Sequence, residues 1–242
     1  MVFMTGEAAS ARPYRGVEAA ERLAARRNQL LAAGLDLLGA DDQNFDFQSE
    51  LTVRKVCHRA GLSARYFYES FTDKDEFVGC VFDWVVADLA ATIAAAAAAA
   101  TPHEQARAGM THVVRTIGSD ARIGRLLFST QLANAVVVRK RAESSALFAL
   151  LSGQHAVDIL RAPANDRVKA GAHFAVGGVG QTLSAWISGD VQMEPDELAD
   201  HLAALIVGLT DPSLYRPRVT ASTAPAIGAP RDQTTGASRS DA

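Results

Sequence analysis

Residues 51–74 have the sequence LTVRKVCHRAGLSARYFYESFTDK, which is typical of two short helices joined by a tight turn. Thr52 is a good N-cap, because its hydroxyl can accept a hydrogen bond from an unpaired N–H at the helix start. Gly61 stands where a helix end favours a left-handed residue. Ser63 is in position to cap the second helix in the same way. The stretch therefore predicts a helix-turn-helix motif over about residues 52–71.

The second predicted helix has an inner side and an outer side. Phe67 and Phe71 lie four residues apart and are expected to face inward, whereas Arg65, Tyr66 and Glu69 point outward. In a helix-turn-helix the second helix enters the DNA major groove. Arg65 is suited to donate two hydrogen bonds to a guanine edge, and Tyr66 to reach a thymine methyl group or a phosphate. The alternative is that Arg65 and Tyr66 are only solvated surface residues. The motif around them favours DNA contact.

The spacing AGLSxRYFYxxFxxK, from Ala60 to Lys74, resembles the DNA-binding domain of the TetR family of bacterial transcriptional regulators. This chain departs from the usual pattern at Arg65, Tyr66 and Ser70, and the loop after its first helix looks long. The resemblance implies that capping residues and residues next to the motif touch phosphate, although Arg26 and Arg27 also suit a solvated basic face. The expected DNA-binding residues are Arg26, Arg27, Thr52, Arg54, Ser63, Ala64, Arg65, Tyr66, Tyr68 and Lys74.

Composition is that of an ordinary globular protein. The 242 residues are 48% hydrophobic and 21% charged, and the formal net charge is −3. We expect a cytoplasmic protein without a membrane partner, since no run of 18 strongly apolar residues or signal pattern is evident. The two cysteines, Cys57 and Cys80, suggest no disulfide framework. They could form a redox sensor, but Cys57 lies on an apolar helical stripe.

The rest of the chain is helical by pattern, so the predicted fold is all-α. The resemblance to the TetR family implies an N-terminal three-helix domain with the helix-turn-helix, followed by a helical domain for effector binding and dimerisation. Further helices are expected near residues 103–117, 120–135, 140–160 and 165–188, and after Glu194-Pro195. The predicted divisions are a mobile arm at 1–17, the DNA-binding domain at 18–80, the helical domain at 81–212 and a disordered tail at 213–242.

Two further surfaces follow from the family resemblance. The last two helices would form a four-helix bundle with those of a second subunit. The middle helices would enclose a small-molecule effector. For any single pocket residue, however, plain core packing is the stronger interpretation. The expected dimer residues are Phe174, Gly177, Gly178, Leu183, Leu198, Leu202, Leu205 and Leu209. The candidate pocket residues are Met110, Val114, Phe128, Gln131, Leu132, Phe148 and Leu151.

The sequence contains no convincing catalytic or metal-binding pattern. His155 and Asp158 have a helical spacing that suits a metal, but a single pair is a weak signal. The Gly178-Val179-Gly180 stretch follows no strand and does not complete a dinucleotide-binding motif. We expect no cofactor, no metal and no enzymatic activity.

These observations predict a homodimeric regulator, most simply a repressor, that binds double-stranded DNA at a palindromic operator and is released by a small molecule. Two alternatives stay open. One is a non-catalytic ligand-binding or interaction module whose helix-turn-helix has decayed. The other is an all-α enzyme that uses the pocket for chemistry.

Overall fold

The computed structural model describes residues 14–41, 47–101, 104–160 and 165–215. Within these ranges the chain forms helices and no β-strand, so the all-α prediction is confirmed. In chain order the α-helices are α1 (Tyr14–Leu38), α2 (Phe47–Glu50), α3 (Val53–Ala60), α4 (Ala64–Ser70), α5 (Lys74–Ala98), α6 (Gln105–Ser119), α7 (Ala121–Phe128), α8 (Ala135–Leu160), α9 (Asp166–Ser188) and α10 (Pro195–Gly208). A 3-10 turn, Pro212–Tyr215, follows α10.

Short-range hydrogen bonds define the helix-turn-helix formed by α3 and α4. The Thr52 hydroxyl accepts from the Lys55 N–H at 3.2 Å, so the predicted N-cap is confirmed. Gly61 has a φ of +66°, and the following Leu62 N–H donates to the Cys57 carbonyl at 2.9 Å. A residue with a Cβ atom is strained in this left-handed conformation, which explains glycine at the turn.

Three phenylalanines fix α4 against α5. The ring centroid of Phe77 lies 5.2 Å from that of Phe67 and 5.0 Å from that of Phe71. All three side chains are almost completely buried. Asp73 caps the start of α5 by accepting from the Glu76 N–H at 2.8 Å. The orientation of α4 is therefore set by tight aromatic packing.

The apolar core has two parts. The larger cluster joins buried residues of α1, α3, α4, α5, α7 and α8. The smaller cluster joins α6, α9 and α10 around Val114, Leu183 and Leu198. Ile93 and Phe128 pack against both clusters. The C-terminal helices are therefore in direct packing contact with the body that carries the helix-turn-helix.

Several predicted boundaries differ from the observed ones. The prediction of one helix over 120–135 is wrong, because α7 ends at Phe128 and α8 already begins at Ala135. The Asn134 side chain accepts from the N–H groups of Val136 and Val137, an N-cap that the sequence pattern had not indicated.

The ends of the predicted domains also shift. α1 begins at Tyr14, so residues 14–17 belong to a helix and not to an arm. Residues 213–215 form part of the 3-10 turn, where the Tyr215 hydroxyl donates to the Leu209 carbonyl at 2.5 Å. The remainder of the predicted arm, residues 1–13, and of the predicted tail, residues 216–242, lies outside the described residues.

Helix α5 is more apolar than the sequence reading allowed. Its most apolar window has a mean hydropathy of 1.7, long and apolar enough to pass a composition test for a membrane span. The expectation that no such run exists was therefore wrong. Alanines contribute much of this hydropathy, and 39% of the window is buried inside the protein. The core helix of a folded domain can also be this long and apolar. One such helix among the described residues is therefore weak support for a membrane span.

Candidate nucleic-acid interface

The outer side of α4 presents the two residues that the sequence singled out for base contact. The Arg65 side chain is 83% exposed, and its Nε donates to Glu69 Oε1 at 2.7 Å. Tyr66 is half-buried beneath the Arg26 guanidinium, whose Cζ lies 4.2 Å from the ring centroid. Arg65 is therefore accessible to a groove, with its Nε bonded to Glu69, while Tyr66 is held by a cation–π contact.

The flanks of the motif present further polar groups to solvent. Tyr68 is 62% exposed, with its ring packed edge-on against Phe67. Ser63 and Ala64 are exposed at the start of α4. The prediction that Ser63 caps α4 is wrong, because its side chain makes no capping hydrogen bond there. An exposed hydroxyl at this place keeps its hydrogen-bonding capacity for a phosphate oxygen.

The first helix of the motif contributes cations. Arg54 is exposed on α3, whereas Lys55 pairs with Glu50 at 2.8 Å. Thr52 is half-buried, and its hydroxyl already accepts the capping bond. Lys74 is half-buried at the first residue of α5.

Arg27 has a structural role that the sequence did not indicate. Its Nη1 donates to the Ser70 carbonyl at 2.9 Å, and its Nη2 donates to Cys80 Sγ at 3.2 Å. The guanidinium also lies 4.6 Å from the Phe71 ring centroid. The structure thus joins Arg27 to the C-terminal end of α4, and its role as a phosphate contact stays a prediction.

A carboxylate shared by two arginines connects the helix-turn-helix to the C-terminal helices. Asp36, near the end of α1, pairs with Arg59 of α3 at 2.7 Å and also with Arg122 of α7. The hydrogen bond to Asp120, and the charges of Asp120 and Asp36, raise the pKa of Arg122. Sequence reasoning missed this network because Asp36 lies 23 residues from Arg59 and 86 from Arg122.

A close backbone approach lies beside the same network. Arg125 Nε donates to the Gly39 carbonyl at 2.6 Å. A Cβ atom at Gly39 would lie 2.7 Å from the Arg122 Cα, so α1 and α7 touch through their backbones. Helix α7 therefore contacts the end of α1 directly.

The candidate effector-pocket residues lie in different surroundings in the helical domain. Val114 is buried, and Met110 and Phe128 pack against the same small cluster. Leu132 belongs to the larger cluster and Phe148 is half-buried, whereas Gln131 and Leu151 are exposed. The effector pocket stays a prediction, and Met110, Val114 and Phe128 are the three candidates that meet in one apolar cluster.

An open groove of about 510 Å³ lies elsewhere, between the end of α5 and α6. Its lining includes Arg107 and Arg115, which pair with Asp200 and Asp196 of α10. These arginines already hold α10 against α6, so the groove carries no excess of positive charge.

The expected dimer residues divide into two groups. Phe174 is 70% exposed, and the positions of Gly177 and Gly178 open onto free space. Leu205 is also exposed and Leu209 is half-buried. The other three expected residues, Leu183, Leu198 and Leu202, are buried in the subunit's own core with α6, so their assignment to a dimer surface is corrected.

Cysteine and metal chemistry receive little support within the described ranges. Burial raises the pKa of the Cys57 thiol, which disfavours the reactive thiolate that a redox sensor needs. His155 is exposed on α8, and the side chain of Asp158 lies outside the described residues. No group of three or more potential metal ligands occurs among the residues described.

The fold is similar to those of several solved regulators. The fatty acid degradation regulator FadR from Bacillus halodurans matches with a TM-score of 0.62 at 13% identity, covering 76% of this chain and 95% of that one. A TetR-like transcriptional regulator from Rhodococcus sp. matches with a TM-score of 0.56 at 20% identity, covering 78% and 97%. FadR from Bacillus subtilis, in complex with stearoyl-CoA, matches with a TM-score of 0.58 at 14% identity, covering 76% and 98%.

No protein-family model and no curated protein matches the sequence. Sequence identities this low establish the fold alone. That fold is the one of TetR-like transcriptional regulators, as the motif from Ala60 to Lys74 had indicated.

Proposed function

We propose that this chain, which has the fold of TetR-like transcriptional regulators, is a sequence-specific DNA-binding regulator. The observation that carries the proposal is α4, a short helix packed on buried phenylalanines with Arg65 and Tyr68 projecting outward. A side chain on a rigid helix is suited to reading a base edge in the major groove. The structural neighbours are transcriptional regulators, which supports a non-enzymatic and cytoplasmic role.

The regulator acts as a homodimer on a roughly palindromic operator, most simply as a repressor. In such a dimer the two recognition helices lie about 34–36 Å apart, one turn of B-DNA, or somewhat further. A small-molecule effector releases the protein by stabilising a state with a different spacing, which requires that it bind that state better. The contacts of α7 with Asp36 and Gly39 are a suitable route for such a change.

Selection of bound fragments from random DNA is the direct test. We expect a palindromic site and a linear fall of log affinity with log salt concentration, of slope about −0.9 per neutralised phosphate. A chain that binds no duplex at low salt would instead favour a decayed interaction module. Consumption of a candidate metabolite without DNA binding would favour an all-α enzyme.

Substitutions at Arg65 and Arg54 should separate base reading from phosphate binding. We expect Arg65→Ala to weaken operator binding by roughly 10- to 100-fold and to relax the preference at one base position. Arg54→Ala, a matched arginine on α3, should weaken binding to all sequences alike and reduce the salt slope by about 1. Competition titrations with single-base operator variants measure both effects. An Arg65→Ala protein with unchanged preferences would show that Arg65 reads no base.

The exposed apolar face of α9 supports the homodimer. We expect Phe174→Arg to weaken self-association at least about tenfold, because burial of an aromatic side chain contributes about 1.5–3 kcal/mol. Sedimentation equilibrium over a range of concentrations measures this change. Val138→Arg is the control, since it places the same charge on another exposed apolar residue, in α8. Equal dimer stability in both variants would place the interface elsewhere.

A further inference from the structure

The outer side of α4 carries a carboxylate directly beside its exposed arginine. Glu69 Oε1 accepts from Arg65 Nε at 2.7 Å, one helical turn further along. The Glu69 side chain is 36% exposed, so it lies on the same accessible side as Arg65. The hydrogen bond and the charge of Glu69 raise the pKa of Arg65. The two residues thus present one combined surface to a bound duplex.

Helix stability gives a poor explanation of this pair. Glu69 lies in the last turn of α4, where the helix dipole disfavours a negative charge. An arginine four residues before a glutamate is the less favourable order for an ion pair within a helix. The pair is also exposed, and exposed pairs are screened and contribute little to stability. A carboxylate at this place moreover repels DNA phosphates, so its presence calls for a compensating role.

The geometry suits the orientation of a guanidinium. Glu69 occupies the Nε donor and restricts rotation of the planar group, while Arg65 Nη1 and Nη2 keep donors for a second partner. Guanine presents its N7 and O6 acceptors side by side, and a fixed pair of N–H donors matches them. A donor pair that is already oriented loses less conformational entropy on binding.

We propose that Glu69 is a specificity-determining residue that orients the Arg65 guanidinium for one guanine and keeps it away from phosphates. The role rests on the proposed function, because it requires that α4 enter the major groove. Without the Glu69 carboxylate, the Arg65 side chain rotates freely and pairs with DNA phosphates whatever the base sequence. Glu69 therefore raises the ratio of specific to non-specific affinity and lowers non-specific affinity.

The test compares Glu69→Ala with the wild-type protein on the selected operator, on the operator with its guanine replaced, and on random duplex. We expect the specific-to-non-specific ratio to fall about 5- to 20-fold, with tighter binding to random duplex. Glu69→Gln keeps an acceptor and should lose less of the ratio. The melting temperature should change by no more than about 2 °C, since the pair is exposed.

Two controls identify the cause. Asp75→Ala removes one exposed carboxylate from the first turn of α5, and should tighten all duplexes alike without changing the ratio. In an Arg65→Ala background, Glu69→Ala should produce no further loss of discrimination, because Glu69 acts through Arg65.

A ratio that stays constant in Glu69→Ala, beside a sequence-specific wild-type protein, would overturn this role alone. The role would also be overturned if Glu69→Ala caused the same loss of sequence discrimination in the wild-type protein and in the Arg65→Ala background. A wild-type protein without any sequence preference would overturn the proposed function, and this role with it.

Discussion

Replacing Phe77 by alanine is expected to lower the free energy of unfolding by about 3–5 kcal/mol. Phe77 is 0% exposed and contacts the rings of Phe67 and Phe71, so truncation leaves a cavity where α4 meets α5. The surrounding helices can collapse only in part, which adds a cavity cost to the lost transfer free energy. Urea unfolding followed by circular dichroism, at one fixed subunit concentration, measures the change.

The matched control is Leu147→Ala, which truncates an apolar side chain on the exposed side of α8. It should change stability by no more than about 0.5 kcal/mol. The Phe77 variant should also lose operator affinity at temperatures where it is still folded, because the orientation of α4 depends on this packing. A stability loss below about 1 kcal/mol would mean that the aromatic cluster is not tightly packed.

The second large effect is expected from Arg141→Met, at about 2–4 kcal/mol of lost stability. The Arg141 guanidinium donates to the carbonyls of Arg125 and Leu126, in the last turn of α7, and of Leu132, in the loop after it, at 2.7–3.3 Å. Burial lowers the pKa of Arg141, and among the described residues no carboxylate forms an ion pair with it. Methionine keeps the apolar stem but removes the guanidinium donor from the Leu126 and Leu132 carbonyls, while the Arg125 carbonyl still accepts from the Ser129 N–H.

Arg139→Met is the control, because it makes the same substitution two residues earlier, at an exposed arginine near Glu143. Its effect should stay within about 0.5 kcal/mol. The same urea titration serves both variants. If Arg141→Met is as stable as the wild-type protein, the cost of desolvating the guanidinium equals the gain from its hydrogen bonds.

The features that sequence reasoning identified correctly depend on near neighbours in the chain. Thr52 caps α3 through the N–H of Lys55, and Gly61 ends α3 in the left-handed conformation, with its N–H directed to the Cys57 and His58 carbonyls. In each case both partners lie within four residues, so a local pattern already contains the whole interaction.

Local patterns were insufficient to decide which polar residue caps a helix. Ser63 precedes α4 in an extended conformation, yet its side chain makes no capping bond. Asn134 does cap α8, at a place where the pattern had indicated a continuous helix. Capping requires one side-chain rotamer among several, and residue type alone does not select that rotamer.

Amphipathic stripes led to the largest corrections. Leu183, Leu198 and Leu202 are the apolar residues that sequence reasoning assigned to a second subunit, whereas α6 of the same subunit covers them. A stripe requires that one face of a helix be covered, but helices of the same chain and of another chain satisfy that requirement equally. Phe174, Gly177 and Gly178 are not covered by the described helices, and their place in a dimer interface stays a prediction.

The amino-acid sequence by itself determined the all-α class, the helix-turn-helix and the outward side of α4, because helix periodicity, caps and turn glycine act within a few residues. Only the tertiary structure decided that Arg27 joins the end of α4 to α5, and that Asp36 joins α3 to α7. These contacts bring together residues 23–86 positions apart, and their partners are chosen by how whole helices pack. These contacts depend on the burial of large apolar helix faces. That burial fixes the relative positions of the helices, and the charged groups are then close enough to pair.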